Sequence, residues 1–320
     1  MKNIILGGIL AVAISALNCR VSYSQNKPIN LFNAHDMVID GQTIEGGDAP
    51  CIWLRHCTNI RITHCKLMHS SNFAIYITNS SNIQIDHNYI AEVAAGVYAE
   101  DCPDGQIRVT NNDMLNMLGR LPYNKDFVQY NRVNGPNNRV CDNNMEDIQG
   151  QSNPEDAINL YKCNGLDNDP IIVSGNKIRG GGPSKTGSGI TIGDQGGSNE
   201  LVENNILVNP GCMGIQIAGG TNMKVLNNTI YSKAFPWSHV GMGYGNYSGK
   251  PSSNIVMKGN KINWMSGWPR DQYNGTTTRR FDVSYQRSVV SKPDGWEDNT
   301  LNAPIDSTIL PERLLKKHEK

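Results

Sequence analysis

One short pattern returns along most of the chain, and it restricts the fold more than anything else in the sequence. An apolar residue leads into Asn or a substitute at Val38-Ile39-Asp40-Gly41, Ile62-Thr63-His64-Cys65, Ile85-Asp86-His87-Asn88 and Val109-Thr110-Asn111-Asn112. It returns at Val140 to Asn144, Val173 to Asn176, Val202 to Asn205, Val225 to Asn228 and Val256 to Asn260. The markers at 41, 65, 88, 112, 144, 176, 205, 228 and 260 are separated by 24, 23, 24, 32, 32, 29, 23 and 32 residues. A fixed minimum step with longer variants is the signature of stacked repeats carrying inserted loops.

A second pattern follows most markers: a small residue, an apolar one, any residue, then an apolar one. Examples are Ala74-Ile75-Tyr76-Ile77, Gly96-Val97-Tyr98-Ala99, Ala157-Ile158-Asn159-Leu160, Gly189-Ile190-Thr191-Ile192 and Gly214-Ile215-Gln216-Ile217. Period-two alternation predicts strands with one buried face. Short strands on a 23-residue minimum predict an all-β solenoid in which each strand pairs with its equivalent one coil away. Asn at a recurring turn tolerates the left-handed backbone and can bond to the next Asn in the stack. Leu is too scarce for leucine-rich repeats, and propeller blades recur at about 40 residues or more.

With these residues the chain resembles the right-handed parallel β-helix proteins of the pectin-lyase-like superfamily, over roughly residues 33 to 265. The resemblance implies a single-stranded right-handed parallel β-helix of about nine to ten coils, of the polysaccharide lyase or glycosidase type. Nine markers at about 4.8 Å per coil predict a rod of roughly 45 Å. Residues 266–320, with Trp268 and Trp296, read as C-terminal loops and a cap, because open strand edges need cover.

Composition supports this reading. The 320 residues include 32 Gly and 39 Asn, both poor helix formers. The 29 basic and 29 acidic residues balance, so no positive field for nucleic acid is present. Residues 1–24 read as a signal peptide: Lys2, an apolar run from Ile4 to Leu17, and Ser22-Tyr23-Ser24 before Gln25. A secreted or periplasmic protein is expected, with a mature net charge of about −2 and no membrane span. Lipid attachment at Cys19 fits less well, since Asn18 precedes it. Seven cysteines follow the leader in no metal-binding spacing. They read mainly as small buried hydrophobes, with a disulfide or two as the alternative.

Equivalent positions of successive coils lie side by side, so the surface can be read by columns. One column runs Tyr76, Tyr98, Gln129, Asn159, Thr191, Gln216, and two residues on the next runs Thr78, Glu100, Asn131, Tyr161, Gly193, Ala218. The following one is Asn79, Asp101, Arg132, Lys162, Asp194, Gly219, and one ahead of the strands is Phe73, Ala95, Asp126, Asp156, Ser188, Met213. The middle coils concentrate polar and charged groups, walled by the long coils. That predicts a groove for a polysaccharide or oligosaccharide, with aromatic platforms at Tyr76, Tyr98, Phe127 and Tyr161. The competing reading is structural: a charge ladder and amide stacks that only support strand pairing.

Three functions follow. The first, placed ahead, is β-elimination at a uronic acid. Lys162 is the candidate base, its pKa lowered by Arg132. Arg132 in a fork, with Gln129, Asn131 and Asn159, holds the uronate carboxylate. Arg120-Leu121-Pro122-Tyr123-Asn124-Lys125 resembles the RxPxxR motif of pectate lyases, which implies a base at Arg120, although Lys125 stands where the last Arg belongs. Glu100 and Asp101 are oxygen donors suited to calcium. The second is hydrolysis by paired carboxylates. Asp126 and Asp156 share a column at about 5 Å, whereas Asp194 lies about 20 Å from Asp156 along a straight strand. Gly-His-Gly and Arg-Ile-Lys, the polygalacturonase pattern, do not occur, and C5 epimerisation shares the first steps of elimination. The third is a non-catalytic glycan-binding solenoid. Tyr98, Tyr161 and Gln216 complete the expected substrate contacts.

Overall fold

The computed structural model describes residues 26–119, 125–269 and 279–318, with the backbone of Cys19–Arg20. The rest of the expected signal peptide, and the Arg120 candidate, lie outside the described residues.

The architecture is a parallel β-helix. Each full coil contributes strands to three faces, and each strand pairs in parallel with its equivalent one coil away. The first face is one ten-stranded sheet running from Cys19–Arg20 and His35–Asp40 to Val256–Lys258. Its inward column pairs Ile39, Ile62, Ile85, Val109, Val140, Val173, Val202, Val225 and Met257 in register. Each of these nine side chains is fully buried. At roughly 1.5–3 kcal/mol for burying an aliphatic side chain, this apolar stack is a principal stabiliser of the rod. The other two faces merge in the long strands Lys66–Thr78 and Tyr89–Cys102 and separate later in the chain.

The turn after the first face explains the repeated Asn. Its corner residue has positive φ at His64, His87, Asn111, Asp142, Asn204 and Asn227, with Gly at 41, 175 and 259. The next residue points inward and builds a ladder through Asn88, Asn112, Asn143, Asn176, Asn205, Asn228, Asn260 and Asn299. Asn176 shows the unit. Its Oδ1 accepts from Asn143 N at 3.1 Å and Nδ2 at 3.0 Å, while its own Nδ2 donates to Val140 O at 2.8 Å and Asn205 Oδ1 at 2.9 Å. The markers at 41 and 144 were each one residue out: Gly41 is a corner, and Asn143, not Asn144, carries the ladder. Asn176→Ala leaves buried donors of Asn143 without an acceptor, and each such group costs about 1–3 kcal/mol. Denaturant unfolding should show a loss of at least about 2 kcal/mol, whereas Asn144→Ala, on the outside, should cost less than about 1 kcal/mol.

All seven described cysteines are free, six of them buried, so the disulfide alternative does not hold. Winding continues past residue 265. Val283–Tyr285 pairs in parallel with Val240–Tyr244, and Thr300–Leu301 with Lys261–Ser266. The remaining tail then runs back over earlier coils. Arg179 donates to Ser307 O and Leu310 O, Arg313 bonds Glu146, and His318 bonds Asp113. Leu315 fills a small apolar cluster with Ala91 and Leu115.

Candidate functional site

The third face carries the polar columns. Tyr98, Gln129, Asn159, Thr191 and Gln216 are lateral neighbours, as are Glu100, Asn131 and Tyr161. Their flanking residues Val128, Tyr130, Ile158 and Leu160 point into the core and are fully buried. Alternation therefore forces Gln129, Asn131 and Asn159 outward. There they line a cleft of about 610 Å³ with Lys125, Asp126, Arg132, Glu155, Asp156, Tyr161 and Asp194.

One expected neighbour relation fails. The register shifts between Asn159 and Tyr161, and Asp194 pairs with Tyr161, not with Lys162. This bulge swings Asp194 toward the carboxylates. Asn159 Nδ2 donates to Asp156 Oδ2 at 2.9 Å and to Asp194 Oδ2 at 3.3 Å, so those two oxygens are no more than about 6 Å apart. The separation of about 20 Å expected for a straight strand is overturned. Two effects were invisible in a linear count: Asn159 stands between the two acids, and the bulge moves the second one back.

Two of the carboxyls are largely withdrawn from solvent. Asp126 and Asp156 are only 3% and 6% exposed. Burial raises Asp156 to about 7; a bond from Ser188 N and one from Asn159 oppose the rise, and the charge of Glu155 adds to it. Burial pushes Asp126 well above the ordinary carboxylate range, and the adjacent Asp156 pushes it further. Asp126 Oδ1 accepts from Asp156 N at 2.9 Å, which ties the two acids in adjacent coils. Asp194 is raised by burial too, with Asn159, the N–H of Gln195 and Lys162 pulling it back. Gln129 Oε1 and Asn159 Oδ1 are buried without a hydrogen-bond partner and line the same cleft.

The basic candidates are placed differently. Arg132 Nε and Nη2 bond Asp101, Nη2 also reaches Glu100 at 2.9 Å, and Nη1 reaches Asn131 at 2.8 Å. The two acids read as calcium donors thus hold a guanidinium. Among the described residues no group of three or more His, Cys, Asp or Glu is arranged to hold a metal ion. Lys162 has its ammonium 4.9 Å from the Tyr161 ring and lines a separate groove of about 540 Å³ with Arg132, Asp101 and Lys250. Arg132 and Lys162 both have positive φ, at a corner column shared with Asn79 and Asp101. That corner carries both side chains to the second groove, while Arg132 also lines the carboxylate cleft and the charge of Lys162 still acts on Asp194.

Two of the expected aromatic platforms, Tyr76 and Tyr98, are taken up by stacking, whereas Tyr161 lines the cleft. Trp53 stacks on Tyr76 at 5.5 Å, Tyr76 on Tyr98 at 5.5 Å, and Phe73 on Tyr98 at 4.9 Å. Faces stacked between coils leave only edges for a ligand. Tyr98 is buried, and its hydroxyl accepts from Asn131 Nδ2 at 2.7 Å, so it orients that amide. Phe127 is fully buried in the core. Gln216 is buried one coil beyond the bulge, accepting from Ser188 Oγ at 3.5 Å, and does not line the cleft. Sequence reasoning left Glu155 unnamed and gave Lys125 and Thr191 no place among the site residues. Thr191 Oγ1 donates to Asp156 Oδ1 at 3.1 Å. The acidic doublet Glu155-Asp156 was the available signal for Glu155.

Comparison with known proteins agrees on the architecture. A sequence model described as "Right handed beta helix region" matches residues 10–114. An alginate lyase from Paenibacillus sp. str. FPU-7 superimposes with a TM-score of 0.50 at 14% identity, covering 78% of this chain and 90% of that one. A DFA-IIIase from Arthrobacter chlorophenolicus A6, without its lid, superimposes with a TM-score of 0.38 at 12% identity, covering 84% and 71%. No curated protein matches in sequence. The fold is therefore a right-handed parallel β-helix, as the resemblance implied.

Proposed function

We propose that this protein is a carbohydrate-active enzyme that cleaves a glycosidic bond by acid–base catalysis at Asp156 and Asp194. The single observation that carries the reading is the amide of Asn159, which touches one oxygen of each carboxyl. A separation of about 5 Å is the spacing at which one carboxyl can attack the anomeric carbon while the other protonates the leaving oxygen. Asp156, raised to about 7 by burial, is the acid. Asp194, less buried, is the nucleophile. Its carboxylate forms a bond to the anomeric carbon as the proton of Asp156 passes to the departing oxygen. Asp156, now ionised, takes a proton from water, which attacks the same carbon and releases Asp194. Gln129 Oε1 and Asn159 Oδ1 accept from sugar hydroxyls, which supplies the partners they lack. The proposal includes export through the leader of residues 1–24 to where extracellular glycan is met.

Elimination keeps one specific support: among the described residues the ammonium of Lys162 has no carboxylate within ion-pair distance, and Lys162 follows Tyr161 of the cleft. Polysaccharides with neutral and uronic backbones distinguish the two reactions. Hydrolysis yields reducing ends alone; elimination adds the ultraviolet absorbance of an unsaturated uronate. Under hydrolysis, Lys162→Ala should change the rate less than about tenfold. A loss beyond about 100-fold, with that absorbance in the parent protein, would return the assignment to elimination. Binding without either product on the whole panel supports a non-catalytic solenoid.

A further inference from the structure

The first face has an inward column that is apolar nearly throughout. Met37, Ile60, Ile83 and Ile107 are successive members, and further along Ile171, Glu200 and Met223 are neighbours in register. Glu200 thus places a carboxyl where its neighbours place hydrocarbon, and it is fully buried. Among the described residues no basic side chain pairs with it. Its Oε2 accepts from Gly193 N at 2.8 Å, and Oε1 has no hydrogen-bond partner.

Gly193 lies at the register shift that moves Asp194 opposite Tyr161. Its φ is +63°, and a Cβ there would lie 2.1 Å from Gly219 O, so only Gly fits. The following turn has positive φ at Gln195, Gly196 and Gly197, a run able to take up or release one residue. A bulge leaves a main-chain N–H without a ladder partner, and a buried N–H must find another acceptor. Glu200 supplies that acceptor from inside the solenoid.

We infer that Glu200 is a positioning residue: by accepting from Gly193 N–H it holds the bulge that delivers Asp194 to Asn159 and Asp156, and keeps it from the regular position opposite Lys162. The register part stands on backbone geometry alone. The consequence for turnover rests on the role of Asp194 proposed above. Burial raises the Glu200 carboxyl well above the ordinary range. Asn159, Asp156, Asp126 and Lys162 are the polar and charged groups that set the environment of Asp194 itself.

The test replaces the acceptor without changing the bulk. Glu200→Met matches Met223 in the same column, and Glu200→Gln keeps an acceptor oxygen. The Asp194 carboxyl is followed by 13C NMR titration, assigned by the resonance lost in Asp194→Asn, and the strand register by crystallography. In Glu200→Met, Asp194 should pair opposite Lys162, and its titration should move from above the ordinary carboxylate range to below it. kcat should fall at least about 100-fold with KM within about threefold, the signature of a misplaced reacting group. Glu200→Gln should keep the parent register, titration and kcat. Should Glu200→Met fail to fold, Glu200→Ala, which leaves room rather than bulk, takes the same readouts. A folded Met or Ala variant with Asp194 still opposite Tyr161 and titrating as in the parent overturns the inference. A variant in which the register moves but kcat does not leaves the inference standing and removes Asp194 from the proposed mechanism.

Discussion

Asp156→Asn and Asp194→Asn should each lower glycoside cleavage by about 10³-fold or more while leaving the fold intact. Loss of a positioned acid or of an attacking carboxylate removes interactions made only in the transition state, so kcat and kcat/KM should fall together. Asn is nearly isosteric with Asp. Its Oδ1 can still accept from Ser188 N, which lies 2.6 Å from Asp156 Oδ1. The double variant should lose little more than either single one, because the two groups act as a unit. A pH profile supplies an independent check. The acid must be protonated to work, and burial places Asp156 at about 7, so the rate should decline as pH rises through that value. Glu155→Gln removes a negative charge that helps hold Asp156 up, and should move this limb to lower pH. Rates within threefold of the parent in either Asp variant, measured under single-turnover conditions, would falsify the acid–base assignment.

Stability should run opposite to the usual neutral-pH optimum. Burial raises Asp147 to about 7 from an ordinary value of 3.8, against a bond from Met117 N. Asp126, Asp156 and Glu200 are likewise raised by burial. In each case the folded state binds a proton more tightly than the unfolded chain. The stabilisation is fully present below about pH 4 and is lost as pH rises through each raised value, about 7 for Asp147 and Asp156. For Asp147 alone this amounts to on the order of 4 kcal/mol. Asp86 works in the other direction. Although burial raises it, bonds from Arg61, His87 and Thr63 hold it below the ordinary range, so its contribution is retained above pH 4 and lost only in stronger acid. The stability maximum should therefore fall near pH 4–5, with Tm at least about 5 °C higher at pH 5 than at pH 8. Asp147→Asn should flatten that difference. A thermal scan showing Tm rising between pH 5 and pH 8 contradicts the claim that these buried carboxyls are neutral.

Much of the architecture was legible because its cause is local and repeated. Inward Ile and Val every 23 to 32 residues and a corner that accepts positive φ recur from coil to coil, with an Asn beside the corner from Asn88 onward. Each copy reinforces the reading of the others. Inserted loops blurred the count by one residue at Gly41 and Asn144, where neighbouring residues of similar character compete for the same role. The continuation through Asn299 escaped notice because the last coil lacks the apolar pair that marks the others.

The candidate site was legible in membership more than in geometry. Gln129, Asn131, Asn159, Asp126, Asp156 and Asp194 line one cleft because alternation along a strand and stacking between coils place them there. Lys162 and Arg132 share those coils but sit at a left-handed corner, from which Lys162 lines another groove and Arg132 lines both. Tyr98 and Gln216 belong to the expected column yet are buried, Tyr98 against the rings of Phe73 and Tyr76.

The sequence by itself determined the coil, its inward and outward faces, and the rows in which acids and amides gather, since all of these follow from short-range periodicity. Only the tertiary structure decided which of those groups meet. Asp156 and Asp194 reach the same Asn159 amide beside a one-residue bulge at Gly193, whose N–H a buried Glu200 accepts from another face of the coil. Register between strands is a property of the closed, stacked solenoid, in which each backbone N–H must find an acceptor, and no stretch of sequence carries that requirement alone.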